Sequence, residues 1–172
     1  ILVTGAAGFI GSHTTDRLLA MNCEVVGVDD LSTGHLSNLR NASSHSGFRF
    51  VRADLTGPNC LDRIVESHRP DAIVHLAGLV SVVRAQDNPE LNYRLNLHAT
   101  HLVAEAARRH KVGRIVFASS AAVYGPSTSF AELAGNERPI NVYGWSKWVF
   151  DQWFMRHMKR LNAPVVGFRY FN

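Results

Sequence analysis

Six short runs rich in β-branched and aromatic residues punctuate the chain: Ile1–Thr4, Glu24–Val28, Phe48–Val51, Ala72–Leu76, Arg114–Ala118 and Val165–Tyr170. Each is bounded by Gly, Pro or Asp and carries too little polar alternation for a half-exposed strand, so they read as buried parallel strands. Helical period fills the gaps. In Pro89–Lys111 the apolar positions Leu91, Leu95, Ala99, Leu102 and Ala106 step by three or four, and Asn88-Pro89 is a start signal. Helices are also expected over Phe9–Met21, Leu61–His68 and Tyr143–Leu161, and Ser43–Gly47 reads as an exposed loop. Strand and helix in strict alternation imply an α/β fold: a doubly wound parallel sheet with right-handed crossovers and helices on both faces.

Composition narrows the function classes. A chain of 172 residues, 46% hydrophobic and 19% charged, suits one domain and excludes a disordered chain or a coiled coil. No apolar run reaches the roughly 18 residues of a membrane span. Two cysteines, Cys23 and Cys60, cannot build a disulfide framework or a tetrahedral metal site and are expected to be packed thiols. The 18 Lys and Arg against 14 Asp and Glu give a charge of +4. The densest basic groups, Arg108–Lys111 and Arg156–Arg160, fall in expected helix C-terminal halves, where cations complement the helix dipole. Neither nucleic acid nor membrane is an expected partner. With no leader pattern legible, a cytoplasmic protein is expected. The chain starts on a strand residue and stops at Asn172 after another apolar run, as a piece of a longer protein would.

The first chemical motif is a strand, a glycine turn and a helix start: Gly5, Gly8 and Gly11 stand at G-x-x-G-x-x-G spacing after the first strand. Glycine serves there for the tight turn, for the approach of a pyrophosphate to the backbone and for close packing of helix on strand. The free N–H groups at the helix start attract the pyrophosphate charge. About 20 residues on, the second strand ends in Asp29-Asp30, where a carboxylate hydrogen-bonds an adenine ribose and repels a 2′-phosphate. The cofactor implied is NAD, on a Rossmann-type domain. Asp54-Leu55 follows the third strand and is placed to meet adenine, with a loop or cap role for Asp54 the alternative. Leu76-Ala77-Gly78 ends the fourth strand, small enough for a cofactor ribose to lie close. His75 reads as a packed histidine.

The second motif opens the last helix. Tyr143 and Lys147 are i and i+4 and share one face. A phenol with a pKa near 10 is a poor base at pH 7, and a neighbouring ammonium with a positive nicotinamide ring is expected to lower it. Ser119-Ser120, ending the fifth strand, offer a hydroxyl to a substrate oxygen. His98 and His101 lie i and i+3 without a third ligand at suitable spacing, so no metal site is expected. Trp145, Trp148, Trp153, Phe150 and Phe154 crowd the same helix as Tyr143, either as interface anchors or as core.

With these residues in order, the chain resembles the extended short-chain dehydrogenase/reductase family, in its nucleotide-sugar epimerase and dehydratase branch. The resemblance spans the whole chain and rests on the glycine triplet, Asp29, Asp54, His75–Gly78, Ser119–Gly125, Tyr143-x-x-x-Lys147 and Arg169-Tyr170-Phe171-Asn172. Dehydratases of the family place an Asp-Glu pair after their Ser or Thr; Ala121 and Ala122 stand there, which leaves no acid/base pair for elimination. Gly11–Thr14, Asp30–His35 and Pro139–Asn141 are similar to UDP-glucose 4-epimerases, while Pro139–Asp151 and Val166–Asn172 are equally similar to ADP-glyceromanno-heptose 6-epimerases. Asp29-Asp30, with no basic neighbour to hold a 2′-phosphate, favours the former.

The resemblance implies an epimerase that oxidises a sugar hydroxyl to a ketone on bound NAD and returns the hydride to the other face. Tyr143 would take the hydroxyl proton, Lys147 hold the nicotinamide ribose, and Ser120 hydrogen-bond the reacting oxygen. It also implies cofactor contacts at Phe9, Ile10, Thr33, Asn96 and Phe171, and a substrate contact at Asn172. A UDP-hexose is the implied substrate, a homodimer through the face of the catalytic helix the implied assembly, and residues 1–172 the cofactor domain, with a substrate domain following. A dinucleotide-binding module without catalysis is the rival from another class. One departure stands out: family 4-epimerases usually carry a lysine two residues after Gly78, where this chain has Val80, with Arg84 the nearest basic candidate to replace it.

Overall fold

A computed structural model describes residues 1–133, 135–161 and 163–171, with the backbone alone for 158–161. Its centre is one six-stranded sheet: β1 (Leu2–Thr4), β2 (Val25–Asp29), β3 (Phe48–Arg52), β4 (Ala72–His75), β5 (Arg114–Ser120) and β6 (Val165–Tyr170). The order is β3-β2-β1-β4-β5-β6, and every neighbouring pair is parallel. That order reverses between β1 and β4, so loops leaving their carboxyl ends diverge and open a crevice, the usual ligand position in such sheets.

Alternation along the strands sends side chains to two different cores. Leu2, Val28, Ile73 and Ile115 meet α3 (Cys60–His68), α6 (Ala99–Arg109) and α7 (Val142–Leu161). Their neighbours Val3, Val25 and Val74 meet α1 (Phe9–Ala20) and the short α2 (Arg40–Ser43). The sheet is therefore covered on both faces, as a doubly wound fold requires. Cover on the α1 side stops before β6, whose Val166, Phe168 and Tyr170 are exposed. Phe150 and Phe154 are core residues, packed in an aromatic cluster with Phe117, whereas Trp145 is half exposed. Among the described residues no helix is long and apolar enough to cross a membrane.

All six expected strands form, and β5 runs two residues further, through Ser119 and Ser120. The expected helix Pro89–Lys111 is not uniform. It begins as α5 (Pro89–Asn92), widens into a π-helical stretch over Tyr93–His98 and continues as α6. A further helix, α4 (Val82–Asp87), is capped by Ser81, whose hydroxyl accepts from the Arg84 N–H at 3.2 Å. The expected loop Ser43–Gly47 starts one residue late: Ser43 closes α2, which follows a 3₁₀ turn at Leu36–Leu39.

The β1–α1 junction is the tightest point. Gly5 has φ +70°, a left-handed conformation that a side chain resists, and a Cβ on it would lie 2.7 Å from the Ala77 backbone nitrogen. A Cβ on Gly11 would fall onto the Gly5 carbonyl oxygen, backbone that cannot step aside. Gly11→Ala should therefore cost about 3 kcal/mol and lower the melting temperature by roughly 10 °C. Gly8→Ala, where the nearest atom is 3.3 Å from the added methyl, should stay within about 3 °C of the parent. Equal melting of the two variants in a calorimetric scan would contradict this.

Candidate active site

Two pieces of chemistry meet at the carboxyl edge of the sheet. The first is the anion cradle. Helix α1 opens at Gly8 with no side-chain cap and no acid in its first turn, so its leading N–H groups remain available to an anion. Asp29, buried at the end of β2, clamps the turn that presents them: Oδ2 accepts from the Ala7 N–H at 2.9 Å and Oδ1 from the Leu31 N–H at 2.8 Å. The Ala7 carbonyl in turn accepts from the His35 N–H and the Asn38 side-chain amide. Each Asp29 oxygen keeps a lone pair beyond these bonds, so the clamp and a ribose contact are compatible. Asp30 Oδ1 accepts from the Ser32 N–H, and Thr33 is exposed beside it.

Phe9 and Ile10 are exposed on the first turn of α1, Phe9 to 78%. At the end of β3, Asp54 Oδ1 accepts from both the N–H and the hydroxyl of Thr56. Burial pushes its pKa up, but Thr56 and the Arg94 charge outweigh that and hold the carboxyl below its ordinary range. Leu55 points the other way, into the core beneath α3 and α6. At the end of β4, Leu76, Ala77 and Gly78 are half-buried along the crevice, with Val80 and Arg84 exposed beyond them.

The second piece is the helix α7 face. Tyr143 and Lys147 are both buried, and the ammonium lies 5.9 Å from the phenol ring centroid. Lys147 Nζ donates to the Ala118 carbonyl at 3.1 Å. A Cβ on Gly78 would sit 3.6 Å from the same nitrogen, so Lys147 bridges the ends of β4 and β5 beneath the crevice. Ser120 ends β5, and its hydroxyl accepts from the Ala122 N–H.

Without the nicotinamide ring, the electrostatics of the pair are set by burial. Burial pushes the Tyr143 phenol above its ordinary pKa, with the Ser120 hydroxyl acting the other way. The ammonium is engaged with Ala118 instead of the phenol oxygen, so the chain alone does not activate this tyrosine. Burial lowers Lys147 to about 8, with the Asp151 carboxylate opposing. His75 is buried and drawn down to about 3, by burial first and then by Lys147. It is packed between two hydroxyls, Thr4 Oγ1 at Nδ1 and Thr100 Oγ1 at Nε2. Thr100 donates to the Asn96 carbonyl, which leaves its oxygen to accept from Nε2–H and fixes the tautomer.

Two asparagines hold the loop after β4. Asn96 Oδ1 accepts from the Leu79 N–H, and its amide donates to the Leu79 carbonyl and to Asn92 Oδ1. Asn92 donates to the Val142 carbonyl at the start of α7. Ser146 donates to the Tyr143 carbonyl and to Asn92 Oδ1. The π-helical stretch lies across Asn96, a placement common near functional sites. Asn92, Asn38 and Asp151 carry no signal in the sequence, since single polar residues in helices have no diagnostic spacing, and Arg169 stands out there only as part of the Arg169–Asn172 run, with no role attached. Phe171 is exposed and stacks on Tyr124; Asn172 lies outside the described residues.

Comparison with known proteins identifies the family. A UDP-glucose 4-epimerase of Mycolicibacterium smegmatis is 42% identical over 141 residues, covering 81% of this chain and 44% of that protein. The Bacillus subtilis UDP-glucose 4-epimerase is 36% identical over 177 residues, covering 100% and 52%. Among solved structures, the Thermus thermophilus UDP-glucose 4-epimerase in complex with NAD superposes with a TM-score of 0.89 at 35% identity, over 98% of this chain and 54% of that one. The UDP-Glc/GlcNAc 4-epimerase of Campylobacter jejuni gives 0.92 at 30%, over 99% and 53%. This chain spans about half the length of the curated relatives it matches. Residues 1–172 match the NAD dependent epimerase/dehydratase family throughout, and the chain belongs to that family.

Proposed function

We propose that this chain is the cofactor-binding part of an NAD-dependent nucleotide-sugar epimerase, acting at C4 of a UDP-hexose. The observation that carries the reading is the meeting, at one sheet edge, of the Gly5–Gly11 anion cradle with the buried Tyr143–Lys147 pair and Ser120. The cradle fits a dinucleotide: backbone closes around the turn where a Cβ would collide, the first turn of α1 has no side-chain cap to compete for its N–H groups, and Asp29 stands where an adenine ribose would be held. The 4-epimerase relatives support the choice of reaction. Ala121 and Ala122 support it from the other side, since neither side chain can remove water from a sugar.

NAD supplies the hydride acceptor and donor that make a sugar hydroxyl transiently a ketone. The protein's share is placement and proton handling. Tyr143 Oη would receive and return the hydroxyl proton, and Ser120 would orient the reacting oxygen. Lys147 would hold a ribose hydroxyl and lend positive charge once the crevice closes over it. Burial already raises the phenol, so activation belongs to the loaded site, where the cationic ring and Lys147 act together. We further read Gly5, Gly8, Phe9, Ile10, Gly11, Asp30, Thr33, Asp54, Leu76, Ala77, Gly78 and Phe171 as lining the cofactor, and Asn96 as holding the Leu79 loop against it; Leu55, packed in the core, is not among them. The exposed stripe Val142, Trp145 and Val149 on α7 suits a second copy of this chain as partner, and the cytoplasm suits the reaction.

Tyr143→Phe should leave NAD affinity within about twofold of the parent and, in the protein carrying its full substrate-binding portion, lower epimerase turnover by at least about 100-fold. Loss of NAD binding alongside turnover would remove Tyr143 from the proton-transfer role.

A further inference from the structure

Tyr143, Lys147 and Asp151 follow one another at i, i+4 and i+8 down the inner face of α7. The first two serve the proposed reaction; the third does not reach it. Asp151 is only 7% exposed. Its Oδ2 accepts from the Ser119 hydroxyl at 2.9 Å and from Arg169 Nε at 3.1 Å. The same guanidinium donates to the Tyr124 hydroxyl at 2.7 Å and to Glu137 Oε1 at 2.8 Å, while lying 4.8 Å from the Tyr124 ring centroid. One arginine on β6 thus joins α7, the 3₁₀ turn that follows Ser120, and the segment leading to Tyr143. Asp151 Oδ1 is buried with no hydrogen-bond partner among the described residues.

A buried ion pair adds little net stability compared with an apolar pair of the same size. Packing alone is then a weak reason for a carboxylate here, and an unsatisfied oxygen makes it weaker. What the position does offer is a carboxylate one helical turn from a buried ammonium; burial raises its pKa above the ordinary value, while the Ser119 hydroxyl, Arg169 and Lys147 favour its charged form. We propose that Asp151, held by Arg169 and Ser119, is a positioning residue for Lys147: it docks α7 against β5 and keeps the lysine protonated at its place between Ala118 and Gly78. The functional weight of Lys147 rests on the reading given above; the electrostatic coupling does not.

The surrounding charges agree. On α7 itself, Tyr143 is a neutral phenol. From β4, His75 stays neutral in the working range, held near 3. From β5 comes the Ser119 hydroxyl, from β6 Arg169, from the turn Tyr124, and from the following segment Glu137, which is paired to Arg169. Glu132 shares the wall of the cavity that Asp151 and Arg169 line. Burial alone drags Lys147 down, and Asp151 is the carboxylate that opposes it. At about 8 the ammonium sits close above neutrality, so losing that carboxylate takes it toward the neutral amine in the range where an enzyme works.

The chain has three lysines, Lys111, Lys147 and Lys159, so NMR of ¹³C-lysine-labelled protein follows each ammonium separately, with Lys111→Arg and Lys159→Arg for assignment. Asp151→Asn should move the Lys147 midpoint down by about half a pH unit or more and leave the other two in place. Asp151→Glu should restore most of the shift. Ser119→Ala, which changes no formal charge but weakens the hold on the carboxylate, should move the midpoint the same way by less, and decides the matter if the Asn variant does not fold. An unmoved Lys147 midpoint in folded Asp151→Asn, or in Ser119→Ala where only that variant folds, overturns the proposal. The titration needs neither cofactor nor turnover, so a chain that fails to bind NAD would overturn the proposed function and leave this result standing.

Discussion

Where β1 turns into α1, two stretches of backbone touch, and the site exists because nothing stands between them. Gly11 lies against the Gly5 carbonyl, and Gly5 lies against the backbone of Ala77 at the end of β4. These contacts draw the start of α1, the exit of β1 and the exit of β4 into one place. That place is where the strand order reverses, so the diverging loops leave a crevice above it. Asp29 reinforces the closure from β2 by holding the Ala7 N–H. A side chain at Gly11 would separate helix from strand and widen every distance across the crevice.

The opposite wall is organised by charge. Three groups that ionise in water are buried near one another: His75, Lys147 and Asp151. The histidine resolves the cost by staying neutral between two threonines. The lysine keeps a carbonyl for its hydrogen bond and a carboxylate one turn away. The aspartate is shared between a serine and an arginine. Phe150 and Phe154, wedged against Phe117 on the neighbouring strand, fix the helix that carries two of the three. Packing at one end of α7 therefore supports electrostatics in its middle and chemistry at its start.

Much of this is legible in the residues themselves. Short β-branched runs between glycine and aspartate announce buried parallel strands, and all six form. The glycine triplet and Tyr143-x-x-x-Lys147 carry their chemistry in their spacing, because turn geometry and helix period demand it. What stays hidden has a physical reason in each case. The widening of the helix over Tyr93–His98 leaves apolar steps of three and four almost intact, so periodicity does not reveal it. Helix α4 is too short for a periodic signal. Arg169 and Asp151 are far apart in sequence and meet only when β6 lies beside β5. The spacing of Tyr143 and Lys147 shows that they share a helix face but not where the ammonium turns, and in the chain alone it turns to a strand carbonyl. Leu55, adjacent to Asp54 in sequence, illustrates the same limit: the chain alternates, and one of the two must enter the core.

The most direct test of the account is a calorimetric titration of the purified chain with NAD⁺ and, separately, with NADP⁺ under the same salt. The account expects NAD⁺ to bind at least about tenfold more tightly, a difference of about 1.4 kcal/mol, because a 2′-phosphate would approach the Asp29 carboxylate, and the residues next to it in sequence, Val28 and Asp30, offer no positive charge. NADP⁺ binding as tightly as NAD⁺, or more so, would contradict it.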